Sequence, residues 1–139
     1  MKNEWYECRV KYEKKLDTGE QKKVTETYVV KAVSVSDAEK RFIGELKPYI
    51  TGEFAVKSVK VANFKEILQN DEEKFYLTKV MLVTFDDETG TEKKTAHVTL
   101  VQAADFEDAL KNLKAGLKGT LSDYELFSIA ESPIVGIVE

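Results

Sequence analysis

The sequence predicts an α+β fold made by tandem duplication of one β-β-α-β unit, and three observations predict it. Thr18-Gly19-Glu20-Gln21-Lys22-Lys23 returns as Thr89-Gly90-Thr91-Glu92-Lys93-Lys94, 71 positions later, the fixed-period self-similarity expected of a repeat. Sliding residues 5–48 onto 76–119 without a gap matches 11 of 44 positions, whereas unrelated segments of ordinary composition share roughly 3. At an offset of 70 the apolar pattern then continues: Phe54, Val56, Val59, Phe64, Ile67 and Leu68 fall on Tyr124, Leu126, Ile129, Ile134, Ile137 and Val138. The repeats cover 4–68 and 75–138, with the polar stretch 69–74 as linker. A lone three-stranded sheet with one helix has a marginal core. One compact domain over 1–139, with antiparallel sheets, one helix per repeat and pseudo-two-fold symmetry, is therefore expected.

The elements follow in order. Residues 5–13 alternate, with Tyr6, Cys8, Val10 and Tyr12 on one face and Trp5, Glu7, Arg9 and Lys11 on the other, the period of a half-buried strand. Asp17-Thr18-Gly19 supplies a type I turn closed by a G1 bulge, and Val24 to Val33 returns as a Val- and Thr-rich strand. Helix-start signals occur in two registers, Ser34 with Asp37 and Ser36 with Glu39; the counterpart pair Asp105 with Asp108 favours the earlier one. Ala38, Phe42, Ile43, Leu46, Tyr49 and Ile50 follow at helical spacing as one stripe facing a sheet, Pro48 weakens the last turn, and Thr51-Gly52 closes the segment. Phe54 to Val61 is a strand whose parity slips between Val56 and Val59, as the counterpart slips between Leu126 and Ile129. A shared slip predicts a shared β-bulge. Residues 63–68 are ambiguous between helix and strand, with a short strand preferred because the counterpart, 133–138, is a poor helix.

In the second repeat Phe75 to Val83 is apolar on both faces, which predicts a central strand. Asp86 to Gly90 turns, Ala96 to Ala103 returns, Asp105 to Lys118 is helical with Gly119 at C′, and Leu121 to Val138 ends as strands.

Composition narrows the class. With 42% hydrophobic and 33% charged residues the chain is neither disordered nor membranous. Its start, Met1-Lys2-Asn3-Glu4-Trp5, lacks the apolar run of a secretory signal. The single cysteine fits a reducing compartment, so a cytoplasmic location is expected. Net charge is −4, but residues 1–60 hold 13 Lys+Arg against 10 Asp+Glu and residues 61–139 hold 8 against 15. Such asymmetry could orient one molecule against another.

Recognisable chemistry is scarce. The sequence has no glycine-rich phosphate loop, no paired Cys/His spacing and no nucleophile elbow. His97, the sole histidine, has no nucleophile or carboxylate tied to it by spacing, and Cys8 lies on an apolar strand face. Both read as structural. Asp86, Asp87 and Glu88 lack a full calcium-loop spacing and read as a solvated hairpin tip. No catalytic, cofactor-binding or metal residue is assigned, and no small-molecule ligand or membrane contact is predicted. The remaining candidates are Trp5, Arg9, Lys11, Lys22, Lys23, Lys93 and Lys94, beside the two matching turns. Lysines there could contact phosphate while Trp5 stacks on a base. The simpler reading is that the lysines guard sheet edges against strand addition.

The opening Trp5-Tyr6-Glu7-Cys8-Arg9-Val10-Lys11-Tyr12-Glu13-Lys14 resembles a family of small proteins of unknown function from Bacteroides-type gut bacteria and their phages. So do Lys22-Lys23-Val24-Thr25-Glu26, Pro48-Tyr49-Ile50-Thr51-Gly52-Glu53-Phe54, Leu100-Val101-Gln102-Ala103 and Lys118-Gly119-Thr120. The resemblance spans almost the whole chain and implies a cytoplasmic, phage-borne or bacterial protein. It brings no activity, cofactor or catalytic residue.

The functional expectation is a non-enzymatic binding module that engages a protein partner, or a second copy of itself, through a sheet edge or surface. The alternative is a single-stranded nucleic-acid-binding protein using the basic hairpin of the first repeat, with Trp5, Arg9, Lys11, Lys22 and Lys23 as contacts.

Overall fold

A computed structural model of the chain describes residues 3–50, 52–120 and 123–139. The expectations that touch Met1, Lys2, Thr51 and Leu121 lie outside the described residues. Among the described residues there are eight strands and two α-helices, a mixed α+β arrangement dominated by sheet. In chain order they are β1 (Glu4–Lys15), β2 (Gln21–Ala32), α1 (Val35–Leu46), β3 (Phe54–Val61), β4 (Glu66–Leu68), β5 (Lys74–Asp86), β6 (Thr91–Ala103), α2 (Phe106–Gly116), β7 (Asp123–Ser132) and β8 (Ile134–Val138).

The strands form two four-stranded sheets, ordered β3-β1-β2-β8 and β4-β6-β5-β7. The chain divides into two compact units, 1–62 with 133–139, and 63–132. In the first sheet the hairpin β1–β2 is antiparallel with Tyr6 opposite Val30 and Lys11 opposite Thr25, and β3 lies antiparallel on the other side of β1. In the second, β5 is central, antiparallel to β6 with Tyr76 opposite Val101 and antiparallel to β7. Read from the far end, the second order repeats the first by role: β7, β5, β6, β4 against β3, β1, β2, β8.

The fourth strand of each sheet breaks the expected pattern. β8 pairs with β2, and β4 pairs with β6, both in parallel. The sheets are therefore mixed, where the sequence predicts antiparallel ones. The physical reason is connectivity: antiparallel neighbours can be joined by a hairpin, whereas a parallel neighbour must arrive by a crossover. β4 follows β3 along the chain yet completes the β5–β6 sheet; β8 follows β7 yet completes the β1–β2 sheet.

The shared parity slip is a bulge in both sheets. The register shifts between Arg9 and Val10, which face Ser58 and Val56, and between Lys79 and Val80, which face Ser128 and Leu126. Lys57 and Phe127 are the extra residues. Residues 63–68 contain the short strand β4 and no helix.

Helix entry is built the same way twice. Ser34 caps α1, its Oγ accepting the Asp37 N–H at 3.0 Å, while Asp37 Oδ2 accepts the Val33 N–H at 3.1 Å. Asp105 caps α2, its Oδ1 accepting the Asp108 N–H at 2.8 Å, while Asp108 Oδ2 accepts the Ala104 N–H at 2.9 Å. Each reciprocal pair satisfies donors that the first helical turn leaves open. Ser34→Ala and Asp105→Ala are each expected to cost about 1 kcal/mol in urea unfolding. The Val33 amide, helped by the Arg41 guanidinium, lowers the Asp37 carboxyl from its ordinary 3.8. The stability this carboxylate contributes is complete above pH 3.8 and is lost as pH falls through its lower folded value; a side-chain NMR titration of Asp37 reads it directly.

Both helices end earlier than expected, and Tyr49, expected on the buried stripe of α1, lies beyond its end and is exposed. α1 ends at Leu46 and runs into a 3₁₀ turn, Lys47–Tyr49, with Pro48 inside it; the proline ring cannot occupy an α-helix interior without displacing the preceding turn. α2 ends at Gly116, not Lys118, because the Leu117 N–H is shared between the Leu113 and Lys114 carbonyls and the turn tightens. Gly119, at φ 88°, lies past this cap, in a region that L side chains avoid.

In the first unit Tyr6, Cys8, Val10 and Val30 face Ala38, Phe42 and Leu46 of α1, with Val138 of β8 packed against the same cluster. In the second, Val80 and Val101 face Leu113 and Leu117, and Tyr76 and Ala103 face Ala109. The one fully buried hydroxyl pair is satisfied: Thr78 Oγ1 donates to the Thr99 carbonyl at 2.8 Å.

Candidate interaction surfaces

The expected contact residues are separated by strand geometry. In a strand, successive side chains point to opposite faces. Trp5, Arg9 and Lys11 share the β1 face away from α1, and Lys23 joins them opposite Glu13; Lys22 lies opposite Lys14, on the helix side. The doubled lysines of the second unit divide the same way, Lys93 opposite Thr84 and Lys94 opposite Val83. Two adjacent lysines on a strand cannot enlarge one patch, so the predicted basic surface loses Lys22.

Trp5 is also separated from the remaining cations. It is half-buried, and the Lys31 ammonium, its cross-strand neighbour, stands 5.8 Å from the ring centroid, a cation–π contact. Lys11 is six residues further along β1, roughly 20 Å at strand rise.

Lys11 and Lys23 do meet, in an open groove of about 620 Å³ at the turn end of the first sheet. Lys15, Gln21, Glu13 and Glu53 complete its polar lining, with Phe54 and Ala55 beneath. Among the described residues none of the three lysines is drawn into an ion pair, and they outnumber the two carboxylates by one. Two rings, Tyr12 and Phe54, also line the groove. Phe54 packs against the core and the Tyr12 hydroxyl donates to Glu26 on the helix side. Burial together with the Glu26 carboxylate pushes the Tyr12 phenol up, so it stays neutral through the physiological range.

His97 is half-buried on β6, with Nε2 3.7 Å from Glu66 Oε2 on β4. Cys8 is buried beneath α1, and desolvation, with the Glu39 charge adding to it, pushes its thiol up to about 12. A thiolate is the nucleophilic form, so Cys8 is expected to label with a maleimide only after unfolding; labelling of the native protein at the rate of a free thiol would contradict its burial. At the hairpin tip, Asp86 Oδ1 accepts the Glu88 N–H at 2.9 Å, which closes a local turn.

The surface that sequence reasoning missed is β7. Among the described strands it pairs only with β5, so its other side presents an open strand edge along residues 123–131. Tyr124, Leu126 and Phe127 are exposed along it, Phe127 at 65%. The bulge turns Phe127 out toward Lys79, whose ammonium lies 5.0 Å from the ring centroid. Alternation predicts Tyr124 and Leu126 as inward residues, and they do fall on the α2 side; they stay exposed because no strand lies beyond them. The available signal is charge: β7 carries Asp123, Glu125 and Glu131 with no lysine or arginine. The other long edge, β3, is the reverse, with Lys57 and Lys60 and no acid.

The units differ in overall charge as well. Residues 1–62 with 133–139 hold 13 Lys+Arg against 11 Asp+Glu, or +2; residues 63–132 hold 8 against 14, or −6. Among the described residues no cluster of three or more metal-ligating side chains occurs, and no helix is long and apolar enough to cross a membrane.

The chain belongs to the family described as Domain of unknown function (DUF4494), whose model matches residues 4–139. No curated protein and no solved structure matches it.

Proposed function

We propose that this member of the DUF4494 family is a non-enzymatic binding module that captures a protein strand on the β7 edge. One observation carries the proposal: an open strand edge along residues 123–131 with three exposed large apolar side chains. Natural sheets shorten, cover or guard such edges with lysine, and β7 has none. Strand addition uses the free ladder for affinity and alternate side chains for specificity. Recognition by Tyr124, Leu126 and Phe127 would favour an apolar strand, and the acids beside them a basic one.

The test is a pull-down from the native host with wild type and Leu126→Asp/Phe127→Asp, with and without nuclease, followed by cross-link mapping. A partner cross-linked to 123–132, retained after nuclease and lost with the variant, supports the reading. Capture that persists in the variant would contradict it.

A second reading, single-stranded nucleic acid, is favoured by the groove that joins Lys11, Lys15 and Lys23. Its affinity should fall steeply with salt. The groove's two rings, Tyr12 and Phe54, are engaged on the helix side and not held out for stacking, and salt-insensitive or absent binding to an oligonucleotide would end this reading.

The two units are part of the same proposal: we read them as copies of one ancestral unit related by an approximate two-fold, joined in a single domain. The matching strand roles, bulges and helix caps support this. Experimental coordinates in which Phe42 and Leu113 fail to occupy corresponding positions would contradict it. A cytoplasmic, Bacteroides-type or phage origin follows from the resemblance, and recovery of the chain in the host's envelope fraction would count against it.

A further inference from the structure

We propose that the strand taken by β7 is β3 of a second copy, so that copies of this chain associate head to tail. The inference rests on the β7 reading above and names its partner. β7 is acidic throughout, with Asp123, Glu125 and Glu131, and β3 is basic throughout, with Lys57 and Lys60. Each is the outer neighbour of its central strand, β5 or β1, and so stands at the edge of its sheet.

Like pairing is disfavoured at both edges. Two β7 strands laid antiparallel about Phe127 place Asp123 opposite Glu131, and two β3 strands bring lysine against lysine; like charges facing each other across a ladder are destabilising. Unlike pairing resolves both conflicts. An antiparallel β3–β7 register with Lys60 opposite Glu125 puts Asp123 diagonal to Lys60 and Lys57 opposite Ser128.

The faces also agree. Lys60 is opposite Glu7, on the side of its sheet away from α1, and Glu125 is opposite Met81, on the side away from α2. A continued sheet therefore keeps both helices on one side. Lys60 and Glu125 already have partners, the half-buried Glu7 at 3.7 Å and the exposed Lys94 at 3.3 Å. Such pairs contribute little and can be exchanged at small cost. Because the contact joins unlike edges, every copy carries both halves of it and can take part in two such contacts.

The test is sedimentation of the full chain from micromolar to millimolar concentration, with two charge-reversed variants: K57E/K60E, and D123K/E125K. All four positions are exposed, and circular dichroism checks that each variant is folded. Wild type is expected to gain mass with concentration. Each variant alone, having two edges of one sign, should associate roughly tenfold more weakly or worse. An equimolar mixture should regain association, because each variant's edges then meet edges of opposite sign. Wild type that stays monomeric throughout, variants that associate as wild type does, or a mixture that stays apart would each overturn the proposal. If wild type stays monomeric while a host protein still cross-links to 123–132, the self-pairing fails and the β7 reading stands. If neither partner is found, both fail.

Discussion

Removing residues 133–139 is expected to unfold the first unit while residues 63–132 keep a complete four-stranded sheet and its helix. These last residues lie about a hundred positions from β2 in the chain, yet β8 is the strand beside it: Thr27 faces Ile134, Tyr28 faces Gly136 and Val30 faces Val138. Ile134 is buried, and Val138 packs against the α1 cluster. Losing the burial of such side chains costs about 1.5–3 kcal/mol each, and each lost ladder hydrogen bond adds about 1 kcal/mol. The total, roughly 5 kcal/mol or more, is comparable with the whole stability of a unit of this size, about 3–10 kcal/mol. Hydrogen exchange should show protection lost across β1 and β2 and kept across β5 and β6. Unchanged protection of Tyr28 to Val30 would mean that β8 contributes nothing there. A milder form of the same test is Gly136→Val: a Cβ at Gly136 would stand 3.0 Å from the Tyr28 ring, so β8 should detach or Tyr28 should shift.

Phe42→Ala should be the most damaging single core substitution in the first unit, costing about 3–5 kcal/mol in urea unfolding. Phe42 is fully buried at the centre of the α1 face, with its ring centroid 5.4 Å from that of Tyr28 and the planes tilted by 47°. Truncation leaves a cavity against Cys8, Val10 and Val30, none of which can move without disturbing the β1–β2 ladder. Leu113→Ala, at the corresponding place on α2, should cost about 2–5 kcal/mol. A loss below about 1 kcal/mol at Phe42 would mean that the helix does not pack as described.

Much of the fold is legible because its causes are local. The Ser34 and Asp105 caps depend on residues three apart, and the bulges appear as a slip in alternation at Val56–Val59 and Leu126–Ile129. β3 spans Phe54–Val61, as its pattern predicts. The destination of β4 and β8 is not legible, since an apolar strand pattern records burial and not which neighbour supplies it. Ile67 and Ile137 look the same whichever sheet receives them.

The candidate site shows the same division. Lys11 and Lys23 meet because cross-strand register follows from the hairpin that Gly19 closes. The sequence groups Lys22 and Lys93 with their neighbours by proximity along the chain, although a strand sends adjacent side chains to opposite faces. Tyr124 and Leu126 read as core residues because alternation cannot reveal that β7 is last in its sheet. Glu53 enters the groove only through the pairing of β3 with β1, a contact between segments about forty residues apart.

The exchange of final strands, β8 beside β2 and β4 beside β6, is the feature on which the account of the two sheets depends. Interstrand NOEs between backbone protons in the native protein test it most directly. The account predicts contacts between 134–138 and 27–30, Gly136 to Tyr28 among them, and between 66–68 and 99–101, Ile67 to Leu100 among them. Contacts joining 66–68 to 27–30 and 134–138 to 99–101, with each strand kept in its own half of the chain, would contradict it.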